Sequence, residues 1–231
     1  MPLQNRVTPW GRLEAAAVRY PSASASFGNR GVLHDDSRTI VRPWKTKAWL
    51  ACKLTVHRKR KVQRDDNRSF NARKRVVMRP GYYTELFFLD NFVATAAGHR
   101  PCACCRRQDY NAFVDAWARA HPSGGPWTAS SIDAVLHEER LGQRRPVWAA
   151  PLSSLPDGAF VSIGDDDAAG AWLCWQGHML RWSHAGYCER VAREDVRDTV
   201  KLLTPRSLVQ TMREGFVPGP VDATATALLE E

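Results

Sequence analysis

Long apolar runs are missing from this 231-residue chain: no stretch approaches the roughly 18 residues that suggest a membrane span, and a membrane is not an expected partner. The first residues, Met1-Pro2-Leu3-Gln4-Asn5-Arg6, lack the charged-then-apolar plan of a secretory signal, and the expected compartment is the cytoplasm. Thiols stay reduced there, so the six cysteines read as metal ligands or core residues before disulfides. Acid is scarce in one place. Residues 42–79 hold fourteen Lys and Arg against only Asp65 and Asp66, a net of +12, while the whole chain is +9 and the remainder therefore −3. One segment carries all the basic character. That points to a polyanion-facing surface, with a merely solvated charged loop as the plain alternative.

What is present is a globular composition, 44% hydrophobic with nine Trp. Residues 11–26 read as a weak helix followed by a loop, and Gly28-Asn29-Arg30-Gly31 reads as a turn. A β-rich stretch at 47–57 predicts a strand, residues 63–72 a polar hairpin loop, and 73–79 a returning strand. This basic hairpin would bring Arg58, Lys59, Arg60, Lys61, Arg73, Lys74 and Arg75 together at a spacing suited to a phosphate backbone. Residues 82–89 are β-rich. Asp90 is the expected cap of a helix over 91–97 that Gly98 stops. Further helices are expected over 110–120, capped by Asp109, and over 132–141, started by Ser130 or Ser131 with Ile132, Val135, Leu136 and Leu141 inward. From Pro151 the texture changes to short strands at 159–163, 171–176 and 179–183. A helix then follows Thr204-Pro205 and stops at Gly215. The expected class is α+β: a mixed region over 1–150, a small antiparallel β-rich unit with a closing helix over 151–218, and a frayed tail over 219–231.

The sharpest local pattern is Pro101-Cys102-Ala103-Cys104-Cys105-Arg106-Arg107. Two thiolates separated by two residues at a helix start can face one ion, which makes Cys102 and Cys105 the expected zinc ligands. Arg100, Arg106 and Arg107 would favour thiol deprotonation, and Arg106 and Arg107 are also candidate nucleic-acid contacts. Cys52, in Trp49-Leu50-Ala51-Cys52, is the first choice for a third ligand, with His99 and His34 as alternatives. A thioredoxin-like dithiol and a metal-free cysteine cluster remain competing readings of the pair.

The run Phe87-Phe88, a short helix, then Ala96-Ala97-Gly98-His99-Arg100-Pro101-Cys102-x-x-Cys105-Arg106 resembles the zinc-binding segment of Ada-type DNA repair proteins over residues 83–107. In that family the segment delivers half of a four-cysteine zinc site, and a Cys-x3-Cys pair about 25 residues upstream supplies the rest and accepts a methyl group from a DNA phosphotriester. Around residues 70–80 this chain has no cysteine. The resemblance therefore implies a zinc half-site and a DNA-facing context in repair or defence, without the methyl-accepting nucleophile. The whole chain is also similar to a family of bacterial proteins, a likeness that brings no activity with it.

Two enzymatic readings compete. Pro101-Cys102-x-x-Cys105 together with His137-Glu138-Glu139 contains both halves of the zinc deaminase signature, with His137 as a ligand and Glu139 as the proton shuttle. Their order is reversed from that of the deaminases. Asn29, Arg30, His34, Asp35 and Asp36 form a polar cluster in which His34 and Asp35 suit a nuclease that activates water or holds a divalent ion. The expectation carried forward is a zinc-containing nucleic-acid-binding protein, DNA before RNA, with tryptophans available to stack on bases.

Overall fold

The computed structural model describes residues 2–18, 24–54, 76–141, 148–163, 170–196 and 199–230. The hairpin expected over 58–75 lies outside the described residues. Within them, helices and two six-stranded sheets make an α+β protein, as the sequence pattern implied.

The first sheet collects β1 (Gln4–Val7), β2 (Leu13–Ala15), β3 (Ser26–Asn29), β4 (Leu50–Cys52), β5 (Leu86–Phe88) and β6 (Arg100–Pro101) in the order β2-β1-β5-β3-β4-β6. The pairs β1–β5 and β4–β6 are parallel, and the others are antiparallel. The second sheet is antiparallel throughout. It is built from β7 (Trp148–Pro151), β8 (Phe160–Ser162), β9 (Trp172–Trp175), β10 (His178–Ser183), β11 (Gly186–Ala192) and β12 (Thr199–Leu202), ordered β11-β10-β9-β8-β12-β7.

Helix α1 (Asn91–Ala96) is apolar nearly all round and sits where the sheets meet. Phe92, Val93, Ala94 and Ala96 pack with Ala51, Leu86 and Phe88 of the first sheet and Phe160, Leu173 and Leu180 of the second in one core. Five of its six residues are buried, which is how a helix with no polar face is accommodated. Its start is the expected one: the Asp90 side chain accepts from Val93 N at 2.9 Å.

Several boundaries differ from the sequence expectation. Helix α2 spans Arg107–Ala120, so Asp109 lies inside its first turn and does not cap it. The helix begins earlier because Arg106 N donates to Cys102 O, leading directly from the cysteine turn into the helix. Helix α3 spans Ala129–Leu141. Its start is set by Thr128 and Ser131, whose side chains exchange hydrogen bonds with each other's backbone N–H. Ile132 and Leu136 face inward as expected, whereas Leu141 is exposed. Helix α4 covers Arg206–Arg213, and Thr204 does not cap it; Thr204 Oγ1 instead accepts from Phe160 N and ties the helix entry to β8. Within residues 11–18, strand β2 stands where the weak helix was expected. The returning basic strand does not extend through the described residues 76–79, which form a turn with Met78 at φ 55°.

The tail is also different. Residues 223–230 form helix α5, which rests on β11 with Ala225 fully buried. What holds it is a buried acidic pair. Asp90 Oδ2 accepts from Tyr187 Oη at 2.9 Å and from Asp222 N at 3.2 Å, and Asp222 Oδ2 accepts from Ser24 Oγ at 2.6 Å. Burial, helped by the neighbouring Asp222 charge and opposed by the donors on it, raises the Asp90 carboxyl from an ordinary 3.8 to about 6. Because the folded chain holds this proton more tightly than the unfolded one, its contribution is complete below about pH 4 and is lost as the pH rises through about 6. Relative to Asp90→Asn, the wild type is expected to lose about 2 kcal/mol of unfolding free energy between pH 4 and 7, measured by urea titration at each pH. Parallel pH profiles of the two proteins would contradict this.

Candidate metal centre

The Cys102–Cys105 pair and the sequence-distant Cys52 converge on the first sheet. Their positions follow from strand pairing. Backbone N–H groups of Arg100 and Cys102 donate to Trp49 O and Ala51 O, which lays β6 alongside β4 with Ala51 opposite Pro101. Side chains alternate along a strand, so Ala51 enters the main core while Leu50 and Cys52 face the other side. Cys102 arrives on that side just past β6, and the turn into α2 returns Cys105 to it. The Sγ atoms of Cys52, Cys102 and Cys105 lie within 4.8 Å of one another, and this is the only such group of potential ligands among the described residues.

Each residue of the preceding motif has a task. Ala96 and Ala97 are small enough for helix–sheet contact and are almost fully buried. Gly98 ends α1 at φ +88°, and a Cβ there would meet the Arg140 side chain at 2.9–3.0 Å. His99 is held by two bonds: Nε2 accepts from Arg30 Nε at 3.0 Å, and Nδ1 lies 3.1 Å from Leu50 O and donates to it. Arg100 makes a two-pronged ion pair with Asp133 of α3 at 2.8 and 2.7 Å, both side chains buried. Trp49 lies against two guanidinium groups, with Arg30 Cζ 3.7 Å and Arg140 Cζ 4.5 Å from its ring centroid.

The electrostatics of the thiols come from one another more than from the neighbouring arginines, contrary to expectation. The thiols of Cys105 and Cys52 donate to Cys102, backbone N–H groups of Cys105 and Cys104 add to them, and Cys102 is lowered far below an ordinary thiol. Its partners move the other way: Cys52 and Cys105 are raised, each first through its bond with Cys102. Of the three thiols, Cys102 is thus the one whose ionisation its neighbours favour. Cys104, between the pair, is exposed. Cys174 is a core thiol pushed up to about 12 by burial, and Cys188 is exposed.

The other residues singled out in the sequence are elsewhere. His99 does not join the thiols, since both its ring nitrogens are engaged and burial beside Arg30 and Arg140 keeps it neutral. His34 is buried, with Nδ1 2.6 Å from Thr84 Oγ1 and Nε2 3.2 Å from Arg79 O. Asp35 Oδ1 accepts from Ser37 N, Ser37 Oγ and Thr39 N, closing a surface turn. His137 is buried with its ring edge-on to Trp44 at 4.6 Å and is not part of the thiol group. Glu139 accepts from Ser207 N and Ser207 Oγ at the start of α4. His137 and Glu139 are thus not assembled with the cysteines, and among the described residues His34 and Asp35 form no metal-holding group.

Of the cationic candidates, Arg58, Lys59, Arg60, Lys61, Arg73, Lys74 and Arg75 lie outside the described residues. Arg107 is exposed. Arg106 is not a surface cation: it is buried and donates to Asp109 Oδ2, Asn91 Oδ1 and Pro218 O at 2.6–2.7 Å, locking α2 to α1 and to the segment before α5. What sequence reasoning missed is the pairing of Arg100 with Asp133 across 33 residues; its one available trace was an acid at helical spacing between the inward Ile132 and Leu136 of α3. Comparisons with protein families, with curated proteins and with solved structures find no match to this chain.

Replacing Arg106 with Ala is expected to lower unfolding stability by about 3 kcal/mol, because it removes a buried charge and leaves its acceptors unmet. Arg107→Ala is expected to stay within about 0.5 kcal/mol of wild type in the same urea titration. Equal stability of the two variants would refute the buried-clamp assignment of Arg106.

Proposed function

We propose that this chain is a zinc protein that acts at nucleic acid, DNA in the first place, with Cys52, Cys102 and Cys105 as thiolate ligands of the metal. The observation that carries the reading is the convergence of these three Sγ atoms within 4.8 Å. Ligands bound at the usual zinc–sulfur distance of about 2.3 Å stand about 3.8 Å apart in a tetrahedron, so closing the site needs shifts of no more than about 1 Å. Sulfur donors favour a soft or borderline ion, and their placement in a largely apolar surround of Phe27, Leu50 and Phe87 suits a thiolate-bound metal. Bound there, the ion would supply a fixed positive centre; the chain supplies the geometry through β4, β6 and the turn into α2.

Nucleic acid enters through charge. Cys52 lies within the basic segment, and residues 53–79 that follow it hold eleven Lys and Arg against Asp65 and Asp66, so the metal would clamp the base of the part of the chain best suited to phosphate contact. The likeness to the Ada-type segment supports the same context. In both, a Cys-x-x-Cys pair after an Ala-Gly-x-Arg-Pro run is joined by upstream sulfur, here from Cys52. Phosphate contacts are assigned to Arg58, Lys59, Arg60, Lys61, Arg73, Lys74, Arg75 and Arg107. Among the described residues, no helix is long and apolar enough to cross a membrane.

Plasma mass spectrometry on purified proteins is expected to find one zinc per wild-type chain, lost in Cys102→Ser and in Cys52→Ser and retained in His137→Ala. A metal-free wild type purified without chelators would end the zinc reading, and loss in His137→Ala would favour the deaminase-like ligand set. Separately, affinity for a DNA oligonucleotide is expected to fall at least tenfold between 50 and 200 mM salt, followed by fluorescence anisotropy. Affinity indifferent to salt would remove the phosphate contacts from the account.

A further inference from the structure

The face of the first sheet that bears the thiols is aromatic along one line. Strand register places Arg6, Phe87, Phe27 and Cys52 in a single cross-strand row over β1, β5, β3 and β4. Their neighbours along each strand, Val7, Leu86, Phe88 and Ala51, point to the opposite face and fill the main core. An outward sheet face is ordinarily polar or covered by another layer. Here it carries a separate cluster in which Phe27 is buried, while Phe87, Tyr83 and Cys105 are half-buried around it.

The ring of Phe27 meets Tyr83 and Phe87 edge-on, with centroids 6.1 and 6.0 Å away, so one buried ring props two partly exposed ones. The Arg6 guanidinium lies 5.0 Å from the Phe87 centroid. Beside it opens a groove of about 510 Å³ lined by Leu3, Arg6, Ala16, Val18, Val77 and Phe87. On the adjoining loop Arg79 and Tyr82 are both exposed, with the guanidinium 4.8 Å from the ring. The chain joining two strands of the row, β4 and β5, is the one with the concentrated positive charge.

We infer that this row is a binding strip for single-stranded nucleic acid, in which Phe87 and Tyr83 stack on unpaired bases next to the three-cysteine centre. The inference rests on the nucleic-acid reading above and narrows it to a strand form and a surface. Partly exposed rings offer stacking faces to any base, and cations flanking them neutralise the phosphates between stacked bases. Duplex DNA hides its base faces and would gain nothing from the rings. Of the nine tryptophans, Trp49, Trp117, Trp172 and Trp182 are buried in packing, and the half-buried Trp10, Trp44, Trp127, Trp148 and Trp175 lie off this cross-strand row.

The test is fluorescence anisotropy of a labelled oligothymidine and of a duplex of the same length, using wild type, Phe87→Leu and Tyr83→Leu. Thermal unfolding, zinc content and sedimentation are run in parallel. Leucine keeps the apolar contact and removes the stacking face. The expected result is wild-type preference for the single strand and about a tenfold weaker grip in each variant, with duplex binding, zinc content and oligomeric state unchanged. If one variant fails to fold, the other still decides. Wild-type affinity for the single strand in a folded variant overturns the strip while leaving the nucleic-acid reading standing. A variant that changes oligomeric state overturns it in favour of a surface for a second copy of the chain. If wild type binds neither probe at low salt, the underlying reading itself fails.

Discussion

Everything at the three-cysteine site depends on two backbone hydrogen bonds, from Arg100 N to Trp49 O and from Cys102 N to Ala51 O. They make a parallel ladder of only two residues on one side, too short to persist alone. Its permanence comes from both flanks. On one side α1 is buried between the sheets and delivers the chain to Gly98. On the other, Arg100 is pinned by Asp133 and α2 is pinned through Arg106. Only with that ladder in register do Cys52 and Cys102 share a face. A slip of one residue would turn Cys52 toward the core and break up the thiol group.

Three buried ionic groups share one pattern: each joins different elements of the fold. Arg100–Asp133 joins β6 to α3, Arg106 joins α2 to α1 and to Pro218, and Asp90 with Tyr187 and Asp222 joins α1 to β11 and α5. Isolated buried charges are costly, and these are retained with their hydrogen bonds met, so they set which element lies against which more than they add net stability. The helix that carries the motif and the helix that closes the chain are thereby coupled through a single carboxyl group. The thiol site stands on the opposite face of the first sheet from that core, with Cys52 and Cys102 buried and Cys105 half-buried.

This arrangement also explains why the cysteine pair alone was an incomplete guide. The spacing of Cys102 and Cys105 suffices to place two sulfurs on one turn, and Cys52 was the favoured third sulfur because of its strand context. His99 was a reasonable alternative at three residues from Cys102, but its ring belongs to the Arg30–Trp49–Arg140 stack. His137 and Glu139 likewise sit on a helix whose polar residues turned inward for packing. A residue type near a motif indicates that chemistry is available; which way the side chain faces is decided by neighbours that are distant in sequence.

From the sequence by itself came the α+β class, the capped and glycine-stopped α1, the short strands of the second sheet and the cysteine pair. These follow from local rules of capping, alternation and spacing that operate within about ten residues. The sequence also located the positive charge, which is a sum and needs no geometry. Tertiary structure alone decided that β1 and β5 are parallel neighbours, that three outer strands of the second sheet exist, that the tail is a docked helix, and that Arg106 is a buried clamp. It alone aligned Arg6, Phe87, Phe27 and Cys52 in a row. Long-range register is set by the burial of whole faces, and a chain read in order contains no local signal for it.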